Sequence, residues 1–265
     1  MVVTAPANEV VNLGQILAPQ SNVQLQGGSV SHSGTINANS TSGDAQGRVV
    51  INALGGAAVV DGNINANNTA GKGGDIVITG ASVQVGASAR INATGSQGGG
   101  SVTIGGGQRG ELLTLNGQTQ ANAQNTTVAS GAQIDVSAVE RGDGGHIVIW
   151  GDQARVAGAL TARGGSTSGN GGLIETSGHV IDVAGASISA NAANGKGGEW
   201  LLDPGNITIV AGGDNDAITN SNEYVPSGDT TITNQTIQDV LNQGVNVTIS
   251  TGTGGSYAIN LTTNI

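Results

Sequence analysis

The sequence predicts an all-β protein of the parallel β-helix class, and three observations carry that reading. The first is a recurring aliphatic-polar-small motif: Ile36-Asn37-Ala38, Ile64-Asn65-Ala66, Ile91-Asn92-Ala93, Ile134-Asp135-Val136, Leu160-Thr161-Ala162 and Ile188-Ser189-Ala190. Successive copies lie 28, 27, 43, 26 and 28 residues apart. The second is a glycine-led motif on the same beat. It reads Gly47-Arg48-Val49-Val50-Ile51, Gly74-Asp75-Ile76-Val77-Ile78, Gly100-Ser101-Val102-Thr103-Ile104 and Gly145-His146-Ile147-Val148-Ile149, then Gly172-Leu173-Ile174-Glu175-Thr176 and Gly198-Glu199-Trp200-Leu201-Leu202. The third is apolar-polar alternation within each run, with no helical period and no leucine-rich consensus. Self-similarity at a fixed period marks a solenoid, and three short strands per coil of about 27 residues fit a parallel β-helix.

Each element follows from its residues. Residues 1–33 alternate at Val10–Leu13, Val23–Leu25 and Val30, and read as short strands parted by Gly and Pro turns. From Gly34 the coils begin, each rising by one inter-strand spacing of roughly 4.8 Å. Ile36, Ile64, Ile91, Ile134, Leu160 and Ile188 should then stack as one inward ladder. Ala38, Ala66, Ala93, Val136, Ala162 and Ala190 form a second, narrow enough for a tight corner. Asn37, Asn65, Asn92, Asp135, Thr161 and Ser189 face outwards, where polar side chains can bond along the axis. The glycine pairs are expected to supply positive φ at turns.

The 43-residue interval marks an insertion near 105–130, carrying Arg109-Gly110-Glu111-Leu112-Leu113-Thr114-Leu115, read as an extra hairpin or loop. The β-helix is expected over 1–210 and a different pattern over 211–265. There an irregular stretch at 211–229 precedes a short helix at 235–243, with Thr233 or Asn234 as N-cap and Gly244 beyond its end. Strands follow at Val245–Ser250 and Tyr257–Leu261. No capping signal closes the chain, so an interior fragment is expected.

Composition narrows the function. The 265 residues include 47 Gly, no Cys, no Phe, 2 Trp and 2 Tyr, so the core must be made of small and branched side chains. A net charge of −10 with 8 basic residues argues against nucleic acid and anionic membrane as partners. No apolar run approaches the length of a membrane span. Absence of Cys leaves stability to stacking, as in large secreted repeat proteins.

Within this frame, Gly144–Pro204 resembles the exoproteins of two-partner secretion, the filamentous-haemagglutinin and high-molecular-weight-adhesin type. The matching motifs are Gly144-Gly145-His146-Ile147-Val148-Ile149-Trp150-Gly151-Asp152, Ala162-Arg163-Gly164-Gly165 and Gly169-Asn170-Gly171-Gly172-Leu173-Ile174-Glu175-Thr176-Ser177-Gly178. The most distinctive is Gly195-Lys196-Gly197-Gly198-Glu199-Trp200-Leu201-Leu202-Asp203-Pro204 with Asn206-Ile207-Thr208-Ile209. The resemblance implies a right-handed β-helical stalk of an adhesin, secreted to the surface of a Gram-negative bacterium through an outer-membrane partner pore. The family's amino-terminal secretion domain carries Asn-Pro-Asn motifs, and none occurs among Pro6, Pro19, Pro204 and Pro226. The secretion domain is therefore expected to be absent, and the transporter to act through a segment not in this chain. Stalks of contact-dependent toxin delivery share the architecture.

Candidate chemistry is sparse. Arg141-Gly142-Asp143 matches a cell-attachment tripeptide and sits at a turn, although three-residue matches recur by chance and charged turns are ordinarily inert. Trp150 should point outwards and could stack on a sugar, or could cap a coil. Trp200 falls inwards and reads as packing. Outward Val50, Val77 and Val148 form an apolar strip, either plain β-branched stacking or a seat for another module. Turn aspartates such as Asp75 and Asp143 lack the nine-residue beat of a calcium β-roll, so no metal site is expected. Asp75, His146 and Glu199 share an outer strip with Arg48 and Ser101, but without a second carboxylate on an adjacent coil. Glu175 falls at an ordinary outward position. No catalytic residue and no cofactor are expected. The partners foreseen are the transporter, a host glycan or receptor, and further copies of the chain end to end or side by side.

Overall fold

The structure, a computed structural model, describes residues 1–212, 229–251 and 257–265, so most of the irregular stretch foreseen at 211–229 lies outside the described residues. Strand dominates, and the strands stack in long parallel sheets, an arrangement consistent with a β-helix.

The aliphatic-polar-small motif builds a seven-stranded sheet from Gln15–Leu17 to Ser187–Ser189. Its register pairs Ile16 with Ile36, then Ile64, Ile91, Ile134, Leu160 and Ile188 in turn. From Ile36 onward these side chains are at most 3% exposed, and the row from Ala38 to Ala190 is fully buried. Burying each aliphatic is worth about 1.5–3 kcal/mol, and the ladder is one part of a core that also takes in Ile51, Ile78, Ile104, Ile149 and Trp200. The intervening polar residues face outwards, and Asn92 Nδ2 donates to Asn65 Oδ1 at 3.0 Å.

The glycine-led motif builds the strands Arg48–Ala53, Asp75–Thr79, Ser101–Ile104, His146–Trp150, Leu173–Ser177 and Glu199–Asp203, each parallel to the next. A further series runs Ala57–Val60, Ser82–Val85, Asn125–Val128, Gln153–Val156 and Val180–Asp182. Between Ile104 and Asn125 lies the insertion, comprising a 3-10 turn at Gln108–Gly110 and an antiparallel hairpin that pairs Thr114–Leu115 with Gln118–Thr119.

The amino-terminal region departs from the expected short strands. Val2–Asn12 and Asn22–His32 are continuous strands of 11 residues each. Asn22–His32 joins two series, pairing first with Arg48–Ala53 and then with Ala57–Val60. Pro6 is tolerated because Val2–Asn12, among the described residues, pairs on one side only and slips register between Ala5 and Glu9.

The glycine pairs also act differently from expectation. None of Gly74, Gly100, Gly145, Gly172 and Gly198 has positive φ. A Cβ at Gly145 would instead lie 2.0 Å from the Gly100 carbonyl oxygen, the oxygen to which the His146 N–H donates. Gly74, Gly100, Gly172 and Gly198 meet the preceding glycine's carbonyl oxygen in the same way, at 2.0–2.1 Å. These residues are glycine because the backbones leading into consecutive strands of the sheet touch there.

Near the C-terminus, Ile207–Val210 pairs in parallel with Thr230–Thr233 and Ile259–Leu261. The helix Asn234–Asn242 follows, with Thr233 Oγ1 accepting from the Thr236 N–H as N-cap and Gly244 at φ +78 past its end. Ile237 and Val240 are its buried face, and Asn246–Ile249 then returns to the long sheet beside Glu199–Asp203.

Candidate functional site

The outer face of the glycine-led sheet is where the fold departs most from a bare repeat. Its register aligns Gln24, Val50, Val77, Thr103, Val148, Glu175 and Leu201 in one row across seven strands. Strand alternation puts this row outside, yet Val50, Val77, Val148 and Leu201 are buried and Glu175 is 0% exposed. Over Val50, Val77, Val148 and Glu175 the insertion is the reason. Leu115 and Leu113 cluster with Val50 and Val77, and Asn116 Nδ2 donates to Gln24 Oε1 at 3.0 Å. At its other end the insertion's 3-10 turn lies on the strands His146–Trp150 and Leu173–Ser177.

That turn seals Glu175, correcting its expected exposed position. Glu175 Oε1 accepts from the Arg109 backbone N–H and from Ser177 Oγ, while Oε2 is buried with no hydrogen-bond partner among the described residues. Asp203 Oδ1, on the adjacent strand, is likewise buried and unpartnered among the described residues. Burial pushes the Glu175 carboxyl above its ordinary value and outweighs the two hydrogen bonds that oppose it; the nearby Asp203 charge raises it further. Arg109 adopts φ 52, a left-handed conformation that an arginine takes at some cost, to aim its N–H inwards.

Trp150 ends the strand His146–Trp150 and is half-buried instead of freely outward. Its carbonyl accepts from Thr126 Oγ1 at 2.7 Å. Its indole lies against the insertion: a Cβ at Gly110 would come within 2.8 Å of Nε1, and Gly110 also needs φ +78. Beside the indole opens a groove of about 140 Å³ lined by Arg109, Trp150, Gly178, His179, Asp203, Pro204, Gly205 and Tyr257. His179 and Tyr257 meet edge to face, with centroids 5.9 Å apart at 81°. His179 Nδ1 is 3.2 Å from Asp152 Oδ1, and its Nε2 is 3.4 Å from the Tyr257 hydroxyl. Donation from Nδ1 to the carboxylate leaves Nε2 to accept from the phenol. Only Trp150 of this group stood out in the sequence, because Tyr257 arrives from 78 residues beyond His179.

Arg141, Gly142 and Asp143 lie at the opposite end of the same strand, where Gly142 and Asp143 line a different groove from that of Trp150. Their backbone is built into the wall: the Arg141 N–H donates to Ser96 O, and the Gly142 carbonyl accepts from the Gly165 N–H, both at 3.0 Å. Gly142 has φ +90, and a Cβ there would lie 2.5 Å from Gln97 O. Asp143 Oδ1 accepts from the Asn170 N–H at 2.7 Å. The Arg141 and Asp143 side chains are exposed, and Gly142 and Asp143 edge an open groove of about 430 Å³ with Lys72 and His146. The outer strip of Arg48, Asp75, Ser101 and His146 forms in register, and Ser101 Oγ donates to Asp75 Oδ1 at 2.7 Å. Leu173 separates His146 from Glu199 in that row.

No protein-family model and no curated protein matches this chain. Among solved structures, the chain is similar to the HMW1 secretion domain from Haemophilus influenzae. The TM-score is 0.63 and the sequence identity 36%, over 74% of this chain and 50% of that one. The chain thus spans half the length of that structure. A secretion domain is itself the similar structure, so the missing Asn-Pro-Asn motif does not set this chain apart from such a domain as had been expected. The likeness supports the two-partner-secretion kind of exoprotein to which the motifs of Gly144–Pro204 pointed.

Proposed function

We propose that the chain is a structural stalk segment of a secreted surface adhesin of a Gram-negative bacterium. It is a right-handed β-helix of roughly 27-residue coils, each adding about 4.8 Å of length, that holds binding regions away from the cell. The observation that carries this reading is the unbroken aliphatic ladder from Ile36 to Ile188, which stacks every coil on the last in register. Its mechanism is geometric, with no catalytic step. Small-angle scattering and electron microscopy of the chain test it: a stiff rod supports the stalk, and a compact globule overturns it.

A second reading is favoured by the similarity to a secretion domain. In it, the chain belongs to the region an outer-membrane transporter engages during export. Co-expression with a two-partner-secretion transporter separates the two. Release of the chain to the medium in a transporter-dependent way supports the second reading, and retention in the periplasm leaves the stalk.

A further inference from the structure

The groove beside Trp150 collects groups that the rest of the molecule keeps apart. The chain has 2 Trp, 2 Tyr and no Phe, and Trp200 is fully buried. One of its two tryptophans and one of its tyrosines nevertheless face a single opening. The floor is bare: Gly178 and Gly205 contribute no side chain, and a Cβ on Gly178 would strike Gly151 O at 1.9 Å. The rim is polar and mixed in kind. Asp203, half-buried, and the exposed Arg109 both line it, although the unpartnered Asp203 Oδ1 itself is buried beneath the surface. His179, held by Asp152, in turn steadies the Tyr257 hydroxyl.

These groups fit one ligand chemistry. A sugar ring has an apolar face of C–H groups, which an indole or phenol can cover, and a rim of hydroxyls that both donate and accept. Trp150 and Tyr257 supply the aromatic surfaces, the indole braced by the insertion at Gly110 and the phenol hydroxyl held by His179. Asp203 can accept and Arg109 can donate, and the backbone of each is ordered, by the strand Glu199–Asp203 and by the hydrogen bond to Glu175. A phosphate or sulfate would meet Asp203 and Asp152 on a chain of net charge −10. A large apolar ligand would find about 140 Å³, open to water. We propose that this groove binds one pyranose ring of a neutral carbohydrate, with the rest of the glycan leaving along the open side. The proposal does not depend on the stalk or the export reading.

The test uses the full 265-residue chain. An array of neutral and anionic saccharides identifies the tightest neutral one, whose methyl glycoside is then titrated by tryptophan fluorescence. Trp200 is sealed in the core, so a change in emission reports on Trp150. The expected result is saturable binding that weakens about tenfold or more in both Asp203→Asn and Tyr257→Ala. His146→Ala, outside the groove, serves as the control and should bind as the parent does. Trp150→Ala is not used, because the indole also braces the insertion at Gly110. Silence across the array overturns the proposal. So does binding confined to anionic glycans, or binding that both groove variants leave unchanged. A rod-shaped chain that binds no sugar sinks this proposal alone, and a globular chain that binds one sinks the stalk alone.

Discussion

The Arg109 backbone N–H donates to Glu175 Oε1 across 66 residues of chain, closing the insertion over a carboxyl that alternation would have left in water. A single buried acid thus sits in a row otherwise filled by Gln24, Val50, Val77, Thr103, Val148 and Leu201. It has one satisfied oxygen and one unsatisfied.

Replacing it should stabilise the protein. In Glu175→Gln, the amide oxygen keeps both hydrogen bonds and the charge is gone; loss of the buried charge outweighs the cost of the amide NH2 in the unpartnered Oε2 position, for a net gain of about 1 kcal/mol at pH 7. The sign with pH follows from the raised carboxyl. Between the ordinary value near 4.5 and the raised folded value, the folded state holds more protons than the unfolded state. Stability therefore falls as pH rises through that window. Thermal melts from pH 4 to 8 should show the parent losing stability upward from pH 4.5 relative to Glu175→Gln. Parallel curves would mean that Glu175 titrates as it does in the unfolded chain.

Leu115 anchors the other end of the insertion against Val50 and Val77. Leu115→Asp should free the hairpin without unfolding the coils. Hydrogen exchange would then rise over residues 111–120 while the strands carrying Ile64, Ile91 and Ile134 keep their protection. Uniform exchange across the chain would show instead that the hairpin is integral to the core.

Gly145→Ala tests the glycine contact between coils. Without positive φ, an alanine would ordinarily be harmless or mildly stabilising there. With a carbonyl oxygen 2.0 Å from the new methyl, it should cost about 1–3 kcal/mol by chemical denaturation. Gly117→Ala, with open space around it but φ +77, provides the contrast of a purely conformational cost of about 1 kcal/mol.

His32 gives a second pH signature, of opposite slope. It is 1% exposed, accepts from Asn12 Nδ2 on Nδ1, and donates from Nε2 to Asn63 O. Burial lowers its value below the ordinary 6.5, against the backbone hydrogen bond. The unfolded chain takes up the proton first, so stability should fall as pH drops through about 6.5 towards the lowered folded value. Melts of His32→Gln should lack this loss, and an identical acid limb in both proteins would exclude His32 as its source.

What could be read from the sequence was whatever repeats. Two phased motifs placed Ile36, Ile64, Ile91 and their successors opposite one another, and the structure pairs them in that register. The helix cap was legible to within one residue, Thr233 or Asn234, for a similar reason, since it is decided within four residues, and the structure places it at Thr233. Glu175 was misread because its burial comes from Arg109, and no local pattern records a partner so distant. The groove beside Trp150 was hidden likewise, as His179, Asp203 and Tyr257 come from three separate stretches. The glycine pairs were recognised as necessary but for the wrong cause: the crowding comes from the next coil, and a single coil does not reveal it.

In a simple stack, each layer senses only the layers it touches, and cooperativity decays along the axis. The insertion breaks that locality. Leaving after Ile104, it reaches back to Gln24 and forward to Glu175, so one short loop ties together layers that never meet directly. Fraying that begins at either end should therefore halt at the strapped block, which would melt as one unit. The chain would then behave less like a zipper than like a splinted rod, strongest at its middle, where a tensile load would otherwise separate it layer by layer.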